Sequence, residues 1–330
     1  MTTSILLITN KEDVTVDFVV RELKAREIPY YRLNTEDIPE RISVEFNISE
    51  DNFLLIDNHK KSVFSLQDFQ SVYYRRPAIS NLSHIDGITR QERSFLLREL
   101  QYLFEGIYRV LDGAFWLNNV FKIREAENKL YQLQMAKKVG FTTPKALISN
   151  TTSSIASFIA ANEDDCILKP IKSGAIEGES SRSVIFTSQL KHSVADQPSR
   201  FKSFPSYIQK HVAKKSDIRC TVVGNKVFAA EIQSQDRNDA KVDWRKSAVP
   251  LKHEAHELPE VIEQYCLSLT QAFELNYSAI DLILDREGNY IFLELNPNGQ
   301  WAWIEKRLAL PISHSIVELL VNKGHANELH

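Results

Sequence analysis

Cysteine is scarce. Cys166, Cys220 and Cys266 are the three in 330 residues, odd in number, far apart and without a CxxC pair. That leaves no disulfide framework and no cysteine zinc site, and it fits a reducing, cytoplasmic setting. Long apolar runs are missing too. No stretch reaches the roughly 18–20 residues of a membrane span. The opening, Met1-Thr-Thr-Ser-Ile-Leu-Leu-Ile-Thr-Asn10, has neither the basic start nor the apolar length of a secretory signal. A soluble protein without membrane association is expected. Charge of one sign is not in excess: 40 Lys and Arg against 43 Asp and Glu leave a net charge of −3, which argues against wholesale nucleic-acid binding. GxSxG, HExxH and a Cys–His pairing are absent, so no hydrolytic mechanism is suggested, and the nine histidines show no metal-ligand spacing. There is no internal repeat.

What is present reads as an ordinary α/β protein. The 43% hydrophobic and 25% charged content is globular, and the length predicts two or three domains. Ile5–Thr9 is a short apolar strand, a helical pattern runs from about Val14 to Arg26, and a strand follows at Pro29–Leu33. This β-α-β opening predicts a parallel sheet. Further strands are expected at Ser43–Ile48, Phe53–Ile56 and Ser71–Tyr74, then helices at Arg90–Leu111 and Arg124–Val139, the second ended by Gly140 and Pro144. A short helix from Ile155 precedes strands at Cys166–Lys169, Val184–Thr187, Tyr207–Gln209, Ile218–Val223 and Val227–Gln233. Boundaries fall near residues 118 and 205, and Asn322–His330 is expected to fray.

The most informative segment is Ser278-Ala-Ile-Asp281-Leu-Ile-Leu-Asp285-Arg-Glu-Gly-Asn-Tyr290-Ile-Phe-Leu-Glu294-Leu-Asn296, a β-hairpin pattern with a polar, glycine-containing turn. Pairing Asp285 with Tyr290 sets Asp281 opposite Glu294, with Asn296 on the same face. Like charges across a sheet repel. Such a face is either a solvated polar surface or one that needs a compensating cation, for which all-oxygen ligands suit Mg²⁺.

Several other pieces precede the hairpin. Lys129 lies in the helical stretch Glu127–Gln132. Lys169 ends an apolar strand and is followed by the loop Lys172-Ser-Gly-Ala-Ile-Glu-Gly-Glu-Ser-Ser-Arg182, either a surface hairpin or a cover for a phosphate chain. It matches neither the P-loop nor GxGxxG. Then come Tyr207-Ile-Gln-Lys-His-Val212 and Ser216-Asp-Ile-Arg-Cys-Thr-Val-Val-Gly224. On the latter strand Asp217, Arg219 and Thr221 share a face.

In this order the pieces resemble the ATP-grasp superfamily over most of the chain. Tyr74-Arg-Arg-Pro77, Asp243-Trp-Arg-Lys246, Tyr277–Asp281 and Phe292–Gln300 further resemble the microviridin-type (graspetide) peptide-maturation ligases. The resemblance implies an ATP-grasp fold, two lobes clamping ATP, preceded by an N-terminal α/β pre-ATP-grasp domain. The domains would be 1–118, a central lobe at 119–205 and a C-terminal lobe with the metal site at 206–330. It implies ATP and Mg²⁺ as cofactors and an acyl-phosphate route to ω-ester or ω-amide links in a ribosomal precursor peptide, leader plus core. A homodimer is compatible with it.

By the same resemblance Lys129 and Lys169 would contact ATP phosphates, and Gln209, Lys210 and Val212 would meet adenine. Many relatives have Glu where Gln209 stands. Asp217 would take the ribose hydroxyls and Arg219 the γ-phosphate, while Asp281, Glu294 and Asn296 would hold Mg²⁺. Arg245 is either a grip for the substrate carboxylate or a salt bridge to Asp243. Arg75 and Arg76 sit at the ATP cleft or steady the domain junction, and Trp244, Trp301 and Trp303 either pack a peptide or lie in the core. A ligase that joins a separate small molecule and a non-enzymatic nucleotide-binding regulator are the competing readings.

Overall fold

The computed structural model describes residues 5–172, 175–177, 182–185, 187–190 and 201–327. It divides into two compact units: residues 1–123 with 274–277 and 298–330, and residues 124–273 with 278–297. The chain therefore leaves the first unit, returns to it briefly and ends in it. Among the described residues no helix is long and apolar enough to cross a membrane.

In the first unit, β1 (Ile5–Thr9) is buried along its whole length, as expected of a strand flanked on both sides in a parallel sheet. It pairs in parallel with β2 (Tyr30–Asn34) and β6 (Ser71–Tyr74), and β6 pairs in parallel with β7 (Phe115–Leu117). The crossover helix α1 (Val14–Ala25) begins at Asp13, whose side chain accepts from Thr15 N–H, a satisfied N-cap. Three strands, β3 (Ile42–Asn47), β4 (Asn52–Asp57) and β5 (Ser62–Ser65), form a separate antiparallel sheet. The long helix α2 (Arg90–Val110) opens with a complete capping box between Thr89 and Glu92. The short helix α7 (Ala302–Leu308) and α8 (Ile312–Asn327) finish this unit. Helix α8 continues through Asn322, so the expected fraying is not observed up to Asn327; residues 328–330 lie outside the described part.

The second unit starts with a correction. The helix expected over Arg124–Val139 is two helices, α3 (Val120–Ala126) and α4 (Lys129–Val139). Asn128 separates them because its side chain accepts from Tyr131 N–H at 3.1 Å and caps the second. Gly140 ends α4 with φ +112°, and a Cβ there would lie 2.5 Å from the Tyr265 ring. Both backbone conformation and space require glycine at this position.

After β8 (Ala146–Ser149), α5 (Thr152–Ala160) and β9 (Cys166–Lys169), a small hairpin pairs β10 (Ala175–Glu177) with β11 (Arg182–Val184). Both glycines of the expected phosphate-covering loop, Gly174 and Gly178, lie outside the described residues. With β12 (Ser188–Gln189) and β13 (Ser206–Lys210), the four-stranded sheet runs β12-β9-β13-β8. A five-stranded sheet follows in the order β16 (His253–Ala255), β15 (Lys226–Ile232), β14 (Lys214–Val223), β17 (Tyr277–Asp285), β18 (Tyr290–Asn296). Helix α6 (Glu260–Ala272) belongs to the same unit and packs on α4 and β14.

Candidate functional site

The β17–β18 hairpin forms with Asp281 opposite Glu294. The expected pairing at the turn is off by one residue. Leu284, rather than Asp285, pairs with Tyr290, and Asp285 instead accepts the N–H groups of Glu287 and Asn289 to close the turn. A β-bulge beside Asp281 absorbs the difference: Leu282 faces Phe292 while Asp281 faces Glu294, leaving Leu293 as the extra residue. Bulges re-aim side chains, and here Leu293 and Glu294 both line the same cavity.

That cavity, of about 240 Å³, lies within the second unit. Lys129, Lys169, Gln209, Val212, Asp217, Arg245, Asp281, Glu294 and Asn296 all line it. Residues more than 160 positions apart thus converge on one space. Arg219 reaches it indirectly, through Asp281. Lys210 is not in the lining; its N–H donates to the Lys145 carbonyl at 2.8 Å and its ammonium lies 3.8 Å from Glu163.

Repulsion between the facing acids is relieved by the protein's own cations. One Arg219 Nη1 donates to both Asp281 oxygens at 2.8 Å. Lys129 Nζ sits 3.3 Å and Arg245 Nη1 3.7 Å from Glu294. Asn296 Nδ2 lies 3.2 Å from Asp281 and 3.4 Å from Glu294, tying the two together. Burial alone would lift the Glu294 carboxyl, but Lys129, Lys169 and Arg245 outweigh it and hold the group down to about 2. Asp281 goes the other way: burial and the charge of Glu294 raise it against the pull of Arg219. Lys169, partly buried and near Lys129, is lowered chiefly by desolvation. It contacts Gln209 Oε1 at 3.4 Å.

Arg245 forms a two-pronged pair with Asp243, Nε and Nη2 each at 2.8 Å. The salt bridge weighed for this residue is present, with a buried Asp243 and a half-exposed Arg245. Burial favours a neutral Asp243, yet the Arg245 contacts hold its pKa below the usual value. The second contact, toward Glu294, keeps Arg245 at the cavity wall. Asp217 is clasped by Lys214 at 2.6 and 2.8 Å, both side chains buried. The sequence pattern does not single out Lys214, because an i, i+3 spacing puts two residues on opposite faces of a regular strand. Tyr207 is a second unanticipated neighbour. Its hydroxyl, pushed up to about 12 by burial and the charge of Glu294, donates to Gln209 at 3.3 Å.

Arg75 lies in the first unit, fully buried, donating to the carbonyls of Asn298 and Gly299 at 3.0 and 2.8 Å and pairing with Asp13 at 3.4 Å. Its observed contacts are those of a residue that organises its own unit. Arg76 has a left-handed backbone, φ 45°, and its carbonyl accepts from Asn10. Trp301 is buried and bonded to Tyr73, whereas Trp244 lines the cavity.

Two family models cover nearly all of the chain. Residues 126–320 match the RimK-like ATP-grasp domain, and residues 4–124 match the MvdD pre-ATP-grasp domain. The chain belongs to the RimK-like ATP-grasp family. It is an ATP-grasp ligase, and the expected fold, with a pre-ATP-grasp domain ahead of the ATP-grasp domain, is the one observed.

Among solved structures it is similar to macrocyclase MdnC of Microcystis aeruginosa MRC bound with precursor peptide MdnA. The two share 28% identity at a TM-score of 0.84, over 97% of this chain and 100% of that one. It is also similar to a Chryseobacterium gregarium RiPP-associated ATP-grasp ligase in complex with ADP and a leader and core peptide. That match has 28% identity and a TM-score of 0.88, over 98% of this chain and 97% of that one. A probable alpha-L-glutamate ligase of Haemophilus influenzae is 24% identical over 211 residues, 63% of this chain and 67% of the relative.

Proposed function

We propose that this ligase uses ATP to form ω-ester or ω-amide crosslinks within a ribosomally made precursor peptide. The observation that carries the proposal is the cavity itself, in which two facing acids and an amide oppose Lys129, Lys169 and Arg245. The full-length likeness to a macrocyclase and to a ligase holding leader and core peptides supports the substrate class. In this reading the two walls of the cavity are drawn from within residues 119–205 and 206–330, and residues 1–118 precede them.

The residues fit nucleotide and metal. Asp281, Glu294 and Asn296 form an all-oxygen donor set, with Glu294 held ionised, and would hold Mg²⁺. When bound, the ion supplies neutralising charge for the phosphates. Lys129 and Lys169 present ammonium groups to the phosphate chain, Gln209 and Val212 border the base, and the Lys214–Asp217 pair borders the ribose. Arg219, fixed by Asp281, steadies the terminal phosphate.

In the proposed reaction a carboxylate oxygen of the peptide attacks the γ-phosphorus while the bond to ADP breaks. A hydroxyl or amine of the same peptide then attacks the acyl carbon, phosphate leaves and the nucleophile's proton is released. Each ring costs one ATP and removes one water from the peptide. Arg245 would orient the carboxylate through the Nη edge of its guanidinium, since Asp243 occupies the Nε–Nη2 edge. The test incubates the protein, a candidate precursor peptide, ATP and Mg²⁺, and follows peptide mass. Loss of one water per ring with matching ADP release is expected. The relatives named as glutamate ligases favour a second reading, joining of two molecules. Its signature is a mass gain from the added molecule.

A further inference from the structure

A second concavity lies at the far edge of the four-stranded sheet. On α4, Leu130, Leu133 and Lys137 fall on one face by their i, i+3, i+7 spacing. Together with Ala146 and Ile148 of β8 and the ring of Tyr207 they border a groove of about 160 Å³. It shares no lining residue with the nucleotide cavity.

One wall of this groove is an open strand edge. Among the described residues β8 has β13 as its single sheet neighbour. The Lys210 N–H donates to the Lys145 carbonyl, and the register pairs Gln209 with Ala146. Residues 145 and 210 are therefore a hydrogen-bonded pair, and antiparallel alternation turns the N–H and C=O groups of Ala146 and Ile148 outward. Thr143, in the groove wall, carries a buried hydroxyl with no hydrogen-bond partner among the described residues.

Charge selects the occupant. Lys137 lines the groove and is exposed. The neighbouring Lys138 is exposed too, as is Lys145, which directly precedes β8, and no acid is among the lining residues. Lysines beside an edge strand discourage self-pairing. Two copies joined through β8 would bring these ammonium groups together, so a second copy of this chain is disfavoured. An acidic segment gains from the same charges. Leu130, half exposed, and Leu133 offer apolar contact between them.

We propose that the groove between α4 and β8 is a strand-addition site for an extended acidic peptide segment with apolar residues at alternate positions. The backbone of Ala146 and Ile148 pairs with the added strand, and the helix face takes its apolar side chains. A four-residue edge spans about 13 Å, so a short segment suffices. The inference concerns binding alone and stands apart from the chemistry proposed for the nucleotide cavity.

The probe is a fluorescein-labelled octapeptide of alternating valine and glutamate, titrated with the full chain and read by anisotropy. Saturable binding is expected, weakened at least about tenfold in a valine–lysine analogue and in the Lys137→Glu/Lys145→Glu double variant. Two N-methylated isomers, blocked at opposite sets of alternate amides, separate backbone pairing from charge attraction: one should lose binding and the other keep it. No binding, indifference to charge, or equal behaviour of the two isomers overturns the proposal. So does a dimer in sedimentation that the double variant abolishes, because the second copy is then the occupant. ATP affinity of the double variant, expected to equal the parent's, confirms that it folds.

Discussion

Replacing Glu294 with Gln removes a charge while keeping shape, and the structure makes the cost calculable. The side chain is largely buried, and Lys129, Lys169 and Arg245 pull its carboxyl from 4.5 to about 2 against the opposing effect of burial. That depression corresponds to about 3 kcal/mol favouring the ionised form in the folded protein. Gln can still accept from Lys129, so the expected net loss at neutral pH is smaller, about 2 kcal/mol. With a urea slope of about 2 kcal/mol per molar, the midpoint should fall by about 1 M.

The sign with pH is fixed by the direction of the shift. The folded-state pKa lies below the unfolded one, so the contribution is complete above about pH 4.5 and fades as pH falls toward about 2. Asp281 works the other way in the acid range, because its raised carboxyl is relieved by protonation. Glu294→Gln also removes the part of the Asp281 rise that comes from the Glu294 charge, so the difference between parent and variant reports the pair, with Glu294 setting its sign. Urea melts of both proteins at about pH 6 and about pH 2.5 should show a large gap that nearly closes. A gap unchanged across this range would refute the electrostatic account. Parental ATP consumption by Glu294→Gln would separately remove it from the proposed metal ligands.

Three further outcomes follow from the same contacts. Lys169→Ala should weaken ATP binding by about one to two decades, the worth of a charge-assisted contact of roughly 1.5–3 kcal/mol, read by titration calorimetry. Arg245→Lys should keep ATP affinity and lose most peptide water loss, because charge remains while the fork does not; equal cyclisation would leave Arg245 as a partner of Asp243 alone. Lys214→Met should lower stability by about 3–5 kcal/mol by stranding buried Asp217, and Asp217→Asn added to it should recover part of that loss.

The sequence was legible wherever a period or a chain order carried the information. The two-residue alternation of the hairpin put Asp281 against Glu294 and Asn296 beside them, because a one-residue slip would have inverted every side chain. The turn end differs by one residue from the simple alternation, since a bulge adds a residue without marking the pattern. Helix periodicity located α4, but the apolar residues continue smoothly across Asn128, whose capping depends on a backbone break that periodicity does not register. Lys214 escaped notice for a related reason: its pairing with Asp217 departs from regular strand geometry. Arg75 could not be placed from its neighbours in sequence, as its partners Asn298 and Gly299 come from more than 220 positions later.

The cavity's charge arrangement also bears on why so many cations are needed beside two acids. In the protein alone Arg219 serves Asp281, Lys129 serves Glu294, and Arg245 divides itself between Asp243 and Glu294. Buried acids left without such partners would protonate rather than stay charged, and a protonated Glu294 is a poor ligand for a hard cation. The same ammonium and guanidinium groups are the natural partners of phosphate oxygens. Under the proposed function, a polyanionic nucleotide with its cation would bind by exchange: phosphates would take up the side-chain cations as the acids take up the metal. Each acid would then keep a positive neighbour throughout, and Glu294 would be held ionised both before and after the nucleotide arrives.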